Sequence, residues 1–345
     1  MRTLDIIMTH YNEPWEIGEP YFQILDLQVG VDFSKIRVIL VHDGSDPFPE
    51  ELFVNRPYEV KQISIEHGGV SAARNAGIDA ADAEWISFSD FDDMYLSAIS
   101  LKAVLDTLLS EASADFDMLG ASFVGEDLCA DGSYEYRPVS NEDMAFIHAK
   151  YYRLDFLQLH NIKFNTSFII NEDGLFNAMV HSWMGNGRHG GINSNQPVYL
   201  WRYRGSSITA TPGMRWQASL CLFRRNVLIT RAYESRMPHK EFAEIAARTL
   251  IDAYYLLHHE SAEQEPEYDD VCHEIKDFYH KYRHLLDEIS SESLRMIRNA
   301  ARSEYEDIHP ESDRILKLIH NQVKLKPERP HFWKWVDMMD SEVSS

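Results

Sequence analysis

Cysteine is scarce in this chain, and long apolar runs are absent. The three cysteines, Cys129, Cys221 and Cys272, form neither the even set of a disulfide framework nor the close spacing of a zinc site, so we expect a reduced, cytoplasmic compartment. No window approaches the roughly 18 apolar residues of a membrane-spanning helix. The apolar stretch after Met1 contains an acid and is too short for a signal peptide. The sequence predicts no membrane span, while peripheral contact with the inner membrane face stays open.

Positive charge is also in short supply. Lys and Arg number 33 against 55 Asp and Glu, which gives a formal net charge of -22 at pH 7. Such an acidic surface repels phosphate backbones and anionic headgroups, so nucleic acid is an unfavourable partner. Repeats and low-complexity segments are missing, whereas hydrophobic residues make up 44% of the 345 residues. The chain can therefore bury a sizeable core and is long enough for about two domains.

Strand-like and helix-like segments alternate over the first third of the chain. Strands are predicted at Leu4–Thr9, Ile36–Val41, Val60–Ile65, Trp85–Phe88 and Phe116–Val124, and helices at Gly68–Ala81 and Leu101–Leu109. Asn12 is predicted to cap a further helix that has Pro14 in its first turn. Alternation of this kind favours an α/β fold, in which helices cover a mostly parallel sheet.

The pattern changes further along the chain. Helices are predicted at Leu154–Leu159 and Asp173–Met184, and strands at Phe168–Ile170 and Pro197–Tyr203. From Met214 onward only helical spacing remains. We therefore predict two domains, an α/β domain over residues 1–212 and an all-helical domain over residues 213–345.

Polar residues cluster where three of the predicted strands end. Thr9–Asn12, His42–Ser45 and Ser89–Asp93 each follow an apolar run. In open α/β sheets, ligands bind just outside the carboxyl ends of the strands. We therefore expect these three segments to share one site.

Three carboxylates fall within four residues at Asp90, Asp92 and Asp93. Each close pair costs about 4 kcal/mol at roughly 4 Å and an effective dielectric near 20. Mg²⁺ or Mn²⁺ would offset that repulsion, since these ions bind one or two carboxylates together with substrate phosphates. In isolation, however, such a run is more often a solvated loop or a helix cap.

Three further segments also have two interpretations. Asp43 precedes a glycine and forms a tight turn, or it accepts a hydrogen bond from a nucleobase. Arg74 lies one turn into a glycine-opened helix, where it either packs against the sheet or neutralises a phosphate. Asp173 stands at a helix start, where it either stabilises the helix or serves as a general base for a sugar hydroxyl.

Together, these segments closely resemble the family 2 glycosyltransferases, which have the GT-A fold of nucleotide-diphospho-sugar transferases. The segments that carry the resemblance, in chain order, are Ile6–Glu13, His42–Ser45, Gly68–Ile78, Asp90–Asp93, Lys150–Arg153, His160–Phe164, Glu172–Asn177 and Tyr203–Thr209. Each motif is weak by itself, but their order and approximate spacing are specific. The resemblance covers residues 4–212 and leaves the helical tail outside.

The resemblance implies a Rossmann-like GT-A sheet and an inverting, metal-dependent transfer of one sugar from a UDP-sugar to an acceptor hydroxyl. Asp173 would be the catalytic base, and Asp92 would bind Mn²⁺ or Mg²⁺ directly, with Asp90 beside it on the ribose side. The residues implied to contact the nucleotide are Thr9, Tyr11, Asn12, Glu13, Asp43, Arg74, Asp90, Arg202 and Arg204. The reaction would serve the synthesis of cell-surface polysaccharide, teichoic acid or glycolipid.

The chain departs from the family pattern at several points. His42 stands where many members have a second Asp. No histidine is securely placed to complete the metal site, and His181 and His189 are the candidates. The Gln-x-x-Arg-Trp motif of processive synthases is absent around Trp216, which favours single transfer over polymerisation.

The acceptor and the partners stay open. A saccharide or a lipid-linked saccharide is the expected acceptor, and the helical tail could contact the acceptor, a membrane surface or a second copy of the chain. Within the tail, Phe332–Met339 is a candidate contact segment, although packing onto the core or a dimer interface is the favoured explanation. Alternatives to the leading hypothesis are a glycosyltransferase acting on modified DNA or protein, which the net charge disfavours for DNA, and a non-catalytic scaffold that kept the fold.

Overall fold

The structure is a computed structural model, and it divides into two compact units, Met1–Ser207 and Ile208–Ser345. The residues that it describes are 2–129, 131–185, 187–194, 196–203, 215–257, 262–290, 293–297, 299, 332, 335–336 and 338–339.

All strands of the described residues lie in the first unit. They are β1 (Leu4–His10), β2 (Ile36–Asp43), β3 (Glu59–Ile65), β4 (Trp85–Asp90), β5 (Met94–Tyr95), β6 (Met118–Gly120), β7 (Phe123–Leu128), β8 (Tyr134–Val139), β9 (Lys150–Arg153), β10 (His189–Gly191) and β11 (Tyr199–Trp201). A seven-stranded sheet has the order β10-β6-β9-β4-β1-β2-β3, and β9 is antiparallel to both of its neighbours. A smaller sheet has the order β5-β11-β7-β8.

Helices cover the large sheet and form the second unit. They are α1 (Trp15–Asp26), α2 (Val70–Ala80), α3 (Ser100–Leu108), α4 (Leu154–Leu159) and α5 (Glu172–Trp183) in the first unit, and α6 (Arg215–Tyr233), α7 (His239–Leu257) and α8 (Tyr268–Tyr282) in the second. The mixed α/β class and the helical C-terminal region agree with the sequence prediction.

The central strands are apolar on both sides because each side has its own core. Ile6 and Met8 belong to one hydrophobic cluster and Ile7 to the other, as the two-residue period of a strand requires. Helix α2 packs closely on the second face, since a Cβ at Gly77 would lie 2.2 Å from Ile7 Cγ2. Helix α2 thus packs against both β1 and β2.

Three sequence predictions were wrong. The strand predicted over Phe116–Val124 is two strands, β6 and β7, which belong to different sheets. Asn12 does not cap α1, because Pro14 holds the cap position and Asn12 has a left-handed φ of 60°. Phe168–Ile170 forms no strand, since the chain turns there before α5.

The second unit buries Phe332, Trp335 and Val336 near the end of the chain. Phe332 and Trp335 pack on Tyr254 of α7 at ring distances of 5.5 and 5.8 Å, and the Tyr279 hydroxyl of α8 donates to the Val336 carbonyl at 3.0 Å. Packing onto the core therefore accounts for these residues of the candidate contact segment. Within the described residues, no helix combines the length and the apolar content that crossing a bilayer would need.

Candidate active site

The polar ends of β1, β2 and β4 lie side by side at one edge of the large sheet. Parallel pairing sets Thr9 opposite Asp90 and His10 opposite His42. The three polar segments therefore meet, as expected from their positions after apolar runs.

Arg74 links this edge to the start of α5. Its Nη1 donates to Asp173 Oδ1 at 2.7 Å and to Glu172 Oε1 at 2.9 Å, and its Nη2 donates to Asp90 Oδ1 at 3.0 Å. The guanidinium is buried and lies over the Phe164 ring. One cation thus holds three carboxylates from two elements in fixed positions.

The carboxylates at this cation differ in their tendency to hold a proton. Burial raises the pKa of Asp173 to about 7, although Arg74 opposes the shift, and Glu172 raises it further. Burial also acts to raise the pKa of Asp90, but Arg74 and His148 outweigh it and hold that pKa below its ordinary value. Asp90 therefore stays ionised, while Asp173 can exchange a proton near neutral pH.

Asp43 fixes the start of α2. Its Oδ1 accepts from the Gly68 N–H at 2.7 Å, and its Oδ2 accepts from the Gly69 N–H at 3.0 Å. His67 Nδ1 lies 2.9 Å from the same Oδ2. Asp43 is thus more than a turn residue, and its contact with a nucleobase stays a prediction.

The turn after β1 offers an exposed aromatic face beside Asp43. Tyr11 is 48% exposed and stacks on the His67 ring at 4.3 Å. Glu13 Oε2 accepts from the Tyr11 N–H at 2.7 Å, and Ser45 Oγ accepts from the Asn12 N–H at 2.8 Å. These bonds join the turn to the end of β2, so the predicted nucleotide residues 9, 11, 12, 13 and 43 lie in one place.

His42, where many family members have an Asp, is fully buried. Its Nδ1 lies 2.9 Å from His10 Nδ1, and its Nε2 lies 2.8 Å from Gln62 Oε1. His10 Nε2 in turn lies 2.8 Å from the Glu13 carbonyl oxygen. The histidine pair therefore supports the turn from beneath and presents no surface of its own.

Among the described residues, one group of side chains could hold a metal ion. Ligand atoms of Asp90, Asp93 and His148 all lie within 4.8 Å of one another. His148 Nδ1 is buried without a hydrogen bond and lies 3.5 Å from Asp93 Oδ2. Carboxylate ligands suit Mn²⁺ and Mg²⁺, so the two aspartates of this group fit the predicted ion.

His148 escaped the sequence analysis. It stands two residues before β9, and its only signal was its closeness to the Lys150–Arg153 motif. The two histidines that the sequence suggested, His181 and His189, lie in α5 and β10 and belong to no such group in the described part of the chain.

The remaining acidic residues of the run have different surroundings. Asp93 is buried and caps no helix, because its Oδ1 accepts from the Arg202 N–H at 2.9 Å and its Oδ2 accepts from the Tyr199 hydroxyl at 2.9 Å. Arg202 Nη1 donates to the Asp92 carbonyl at 3.2 Å, which brings Arg202 to the acidic run. Asp92 lies outside the group of three, so its role as direct metal ligand stays a prediction. Arg204 lies outside the described residues.

Sequence relatives of the chain include proteins named as glycosyltransferases. The family described as Glycosyl transferase family 2 matches residues 5–180. The chain is 33% identical over 125 residues to an uncharacterized glycosyltransferase, EpsJ of Bacillus subtilis, covering 35% of this chain and 33% of that protein. It is 26% identical over 251 residues to the minor teichoic acid biosynthesis protein GgaB of the same organism, covering 68% of this chain and 27% of that protein. The chain thus spans about a third or less of the length of the first curated relatives that it matches.

Solved structures show the same fold. S. aureus TarS 1-349 in complex with UDP-GlcNAc superposes with a TM-score of 0.60 at 16% identity, covering 95% of this chain and 98% of that one. The mannosyltransferase PcManGT from Pyrobaculum calidifontis, in complex with GDP-Man and Mn²⁺, gives a TM-score of 0.50 at 12% identity, covering 100% and 86%. At identities this low, the structural similarity establishes a shared fold alone. It confirms the predicted fold class.

Proposed function

The chain belongs to glycosyl transferase family 2, and on this basis we propose that it transfers a single sugar from a UDP-sugar to an acceptor hydroxyl, with inversion at the anomeric carbon. The observation that carries the proposal is Asp173, a buried carboxylate with a pKa of about 7 that Arg74 holds at 2.7 Å. A group with this pKa at a strand-edge site is suited to general-base catalysis near neutral pH.

In the proposed reaction, Asp173 accepts the proton of the acceptor hydroxyl as its oxygen attacks the anomeric carbon. A bond forms between that oxygen and the carbon, and the bond from the carbon to the diphosphate oxygen breaks on the opposite side. The electron pair of the broken bond leaves with UDP. The configuration inverts because the new bond forms on the side opposite the leaving group. Arg74 orients the Asp173 carboxylate and keeps Asp90 ionised, which fits a base that must hold one position while the substrates change.

We propose that Asp92 and Asp90 bind Mn²⁺ or Mg²⁺ beside the donor diphosphate. The group formed by Asp90, Asp93 and His148 supports a cation site at this strand end. When bound, the ion would supply charge neutralisation for the leaving diphosphate. Arg202, whose Nη1 reaches the Asp92 carbonyl, is proposed to contact the same diphosphate, and Arg204 is proposed with it.

The nucleotide is proposed to bind at the turn after β1. The exposed ring of Tyr11 offers a stacking surface, and Asp43 lies next to it with its carboxylate at the end of β2. Thr9, Asn12 and Glu13 complete the proposed base and ribose contacts around that ring.

A cell-surface polymer is the proposed setting. GgaB and GgaA are named as minor teichoic acid biosynthesis proteins, and the TarS structure contains UDP-GlcNAc. We propose a saccharide or lipid-linked saccharide acceptor and a cytoplasmic protein that can lie at the inner membrane face. The helical domain is proposed to contact the acceptor, the membrane surface or a second copy.

Release of UDP tests the proposal. Purified protein with Mn²⁺ and UDP-GlcNAc, together with a panel of other UDP-sugars, should release UDP slowly by hydrolysis and faster with acceptor, and Asp92→Asn should reduce the release. If no common UDP-sugar yields UDP and Asp92→Asn changes nothing, the non-catalytic alternative gains the support that the proposal loses.

A further inference from the structure

Lys150 is a buried cation with no partner in the described part of the chain. It opens β9 and is 1% exposed, and its ammonium forms no hydrogen bond or ion pair with any described residue. An unpaired buried charge is costly, and proteins retain one mainly where a ligand completes it.

His189 lies on the same face of the sheet as Lys150. In the β6–β9 pairing, Lys150 stands directly opposite Gly120, so a side chain at Gly120 would point to the face that Lys150 occupies. A Cβ placed there would lie 3.5 Å from His189 Nε2. That nitrogen is itself buried without a hydrogen-bond partner. Two unsatisfied nitrogens therefore flank one glycine.

Gly120 allows the backbone at Asn141 to approach β6 closely. The same Cβ would lie 2.6 Å from the Asn141 carbonyl oxygen, which is too close for any side chain. This face of the sheet also packs against α5, the helix that carries Asp173. Tyr152, two residues after Lys150 in β9, points to the same face, and its hydroxyl donates to Asn177 of α5 at 2.7 Å.

The charges that face the two nitrogens are few. Asp143 and Asp173 act on Lys150 and raise its pKa against the larger effect of burial, but neither forms an ion pair with it. Burial lowers the pKa of His189, the nearby His181 and Lys150 lower it further, and Glu142 acts in the opposite direction. The ammonium thus lies in the field of the proposed base without being neutralised by it.

We propose that Lys150 and His189 bind an anionic group of the acceptor, a phosphate or a carboxylate, next to the hydroxyl that Asp173 deprotonates. The donor diphosphate has its own cationic partners in the proposed metal and Arg202, so this second anion site belongs to the other substrate. The inference rests on the proposed function for the identity of that substrate, but the anion site itself does not.

Binding without turnover tests the site. Calorimetry with the full chain, Mn²⁺ and saturating UDP should show binding of glycerol 3-phosphate or of glucuronate, and none of glycerol. Preference between the first two probes distinguishes a phosphate from a carboxylate. Lys150→Met should weaken the bound anion at least about tenfold, since a charge-assisted hydrogen bond is lost.

Control variants separate the site from general charge effects. Lys163→Met removes an equal charge from an exposed pair with Asp79 and should leave anion binding unchanged. His189→Leu should weaken binding several-fold, while His189→Gln, which retains an N–H donor, should lose less. Lys150→Met should also unfold at the same or a higher temperature than the wild type, because it removes an unpaired buried charge.

Failure of this inference differs from failure of the proposed function. Equal anion affinity in Lys150→Met and wild type, or no binding of either anion to the wild type, overturns the inference even if the protein transfers sugar. Binding that depends on Lys150, in a protein that releases no UDP from any UDP-sugar, leaves the anion site standing and removes the transferase.

Discussion

The two halves of the large sheet differ in how the buried polar groups near the candidate site are paired. In the half formed by β1 to β4, Asp43 bonds two backbone N–H groups, His42 bonds a histidine and a glutamine, and Arg74 bonds three carboxylates. In the half formed by β9, β6 and β10, Lys150 and His189 Nε2 have no such partner among the described residues.

The difference separates buried polar groups whose hydrogen bonds are supplied by the protein from buried polar groups that a ligand would have to bond. A fully bonded group is held in place before substrate arrives, which suits binding residues and a catalytic base. An unsatisfied buried group costs free energy in the free protein, which binding of a complementary ligand recovers. The first half is therefore preorganised, and the second is expected to respond most to added ligand.

The largest expected effect comes from breaking the paired half at Arg74. Arg74→Met leaves Asp90, Glu172 and Asp173 without their shared cation, so we expect a loss of about 3–5 kcal/mol in the free energy of unfolding. Arg153→Met is the control, because its pairs with Glu84 and Asp155 are more exposed and should contribute about 1 kcal/mol or less. Urea unfolding of both variants measures the difference, and equal losses would contradict the role of Arg74 as the central cation.

The next effect concerns the base itself. Asp173→Asn keeps the shape but cannot accept a proton, so turnover should fall at least about 10²-fold while UDP affinity stays unchanged. Glu172→Gln is the matched control, since Glu172 bonds the same nitrogen of Arg74 and should lose less activity. Equal turnover in Asp173→Asn and wild type would contradict the assignment of Asp173 as the catalytic base.

The pH dependence of kcat/KM gives a smaller effect. Only the ionised carboxylate accepts a proton, and burial raises the pKa of Asp173 to about 7, so activity should rise with pH and reach a plateau above it. At pH 6, one unit below that pKa, kcat/KM should be about tenfold below the plateau. A profile that is flat between pH 5.5 and 8, about 1–1.5 units on either side of the pKa of Asp173, would contradict this assignment.

Metal removal should have the smallest of these effects, and it should act on UDP binding. EDTA should weaken UDP binding by about tenfold or less, because the nucleotide keeps its contacts at the β1 turn and loses those of the diphosphate. Asp92→Asn should produce a similar loss, and Asp106→Asn, on the exposed side of α3, should produce none. Calorimetry measures all three, and unchanged affinity after EDTA would remove the metal from the proposal.

The sequence determined the central strands, the helices α2 to α5 and the fold class. Runs such as Val38–Val41 are apolar throughout, which is typical of a strand buried on both faces. The polar residues that end those runs then had to meet at one edge, because parallel strands share their carboxyl end.

The tertiary structure alone decided which charges are paired. Arg74 and Asp173 are 99 positions apart in the chain, and no local pattern indicates their 2.7 Å contact or the resulting pKa. Lys150 is the first residue of the short strand β9, and His148 lies two residues before it. This strand pairs with β4 and β6, which come from distant parts of the chain, so the burial of the two residues could not be predicted from spacing. Electrostatic effects of this kind depend on distance and desolvation, and both arise only when the sheet assembles.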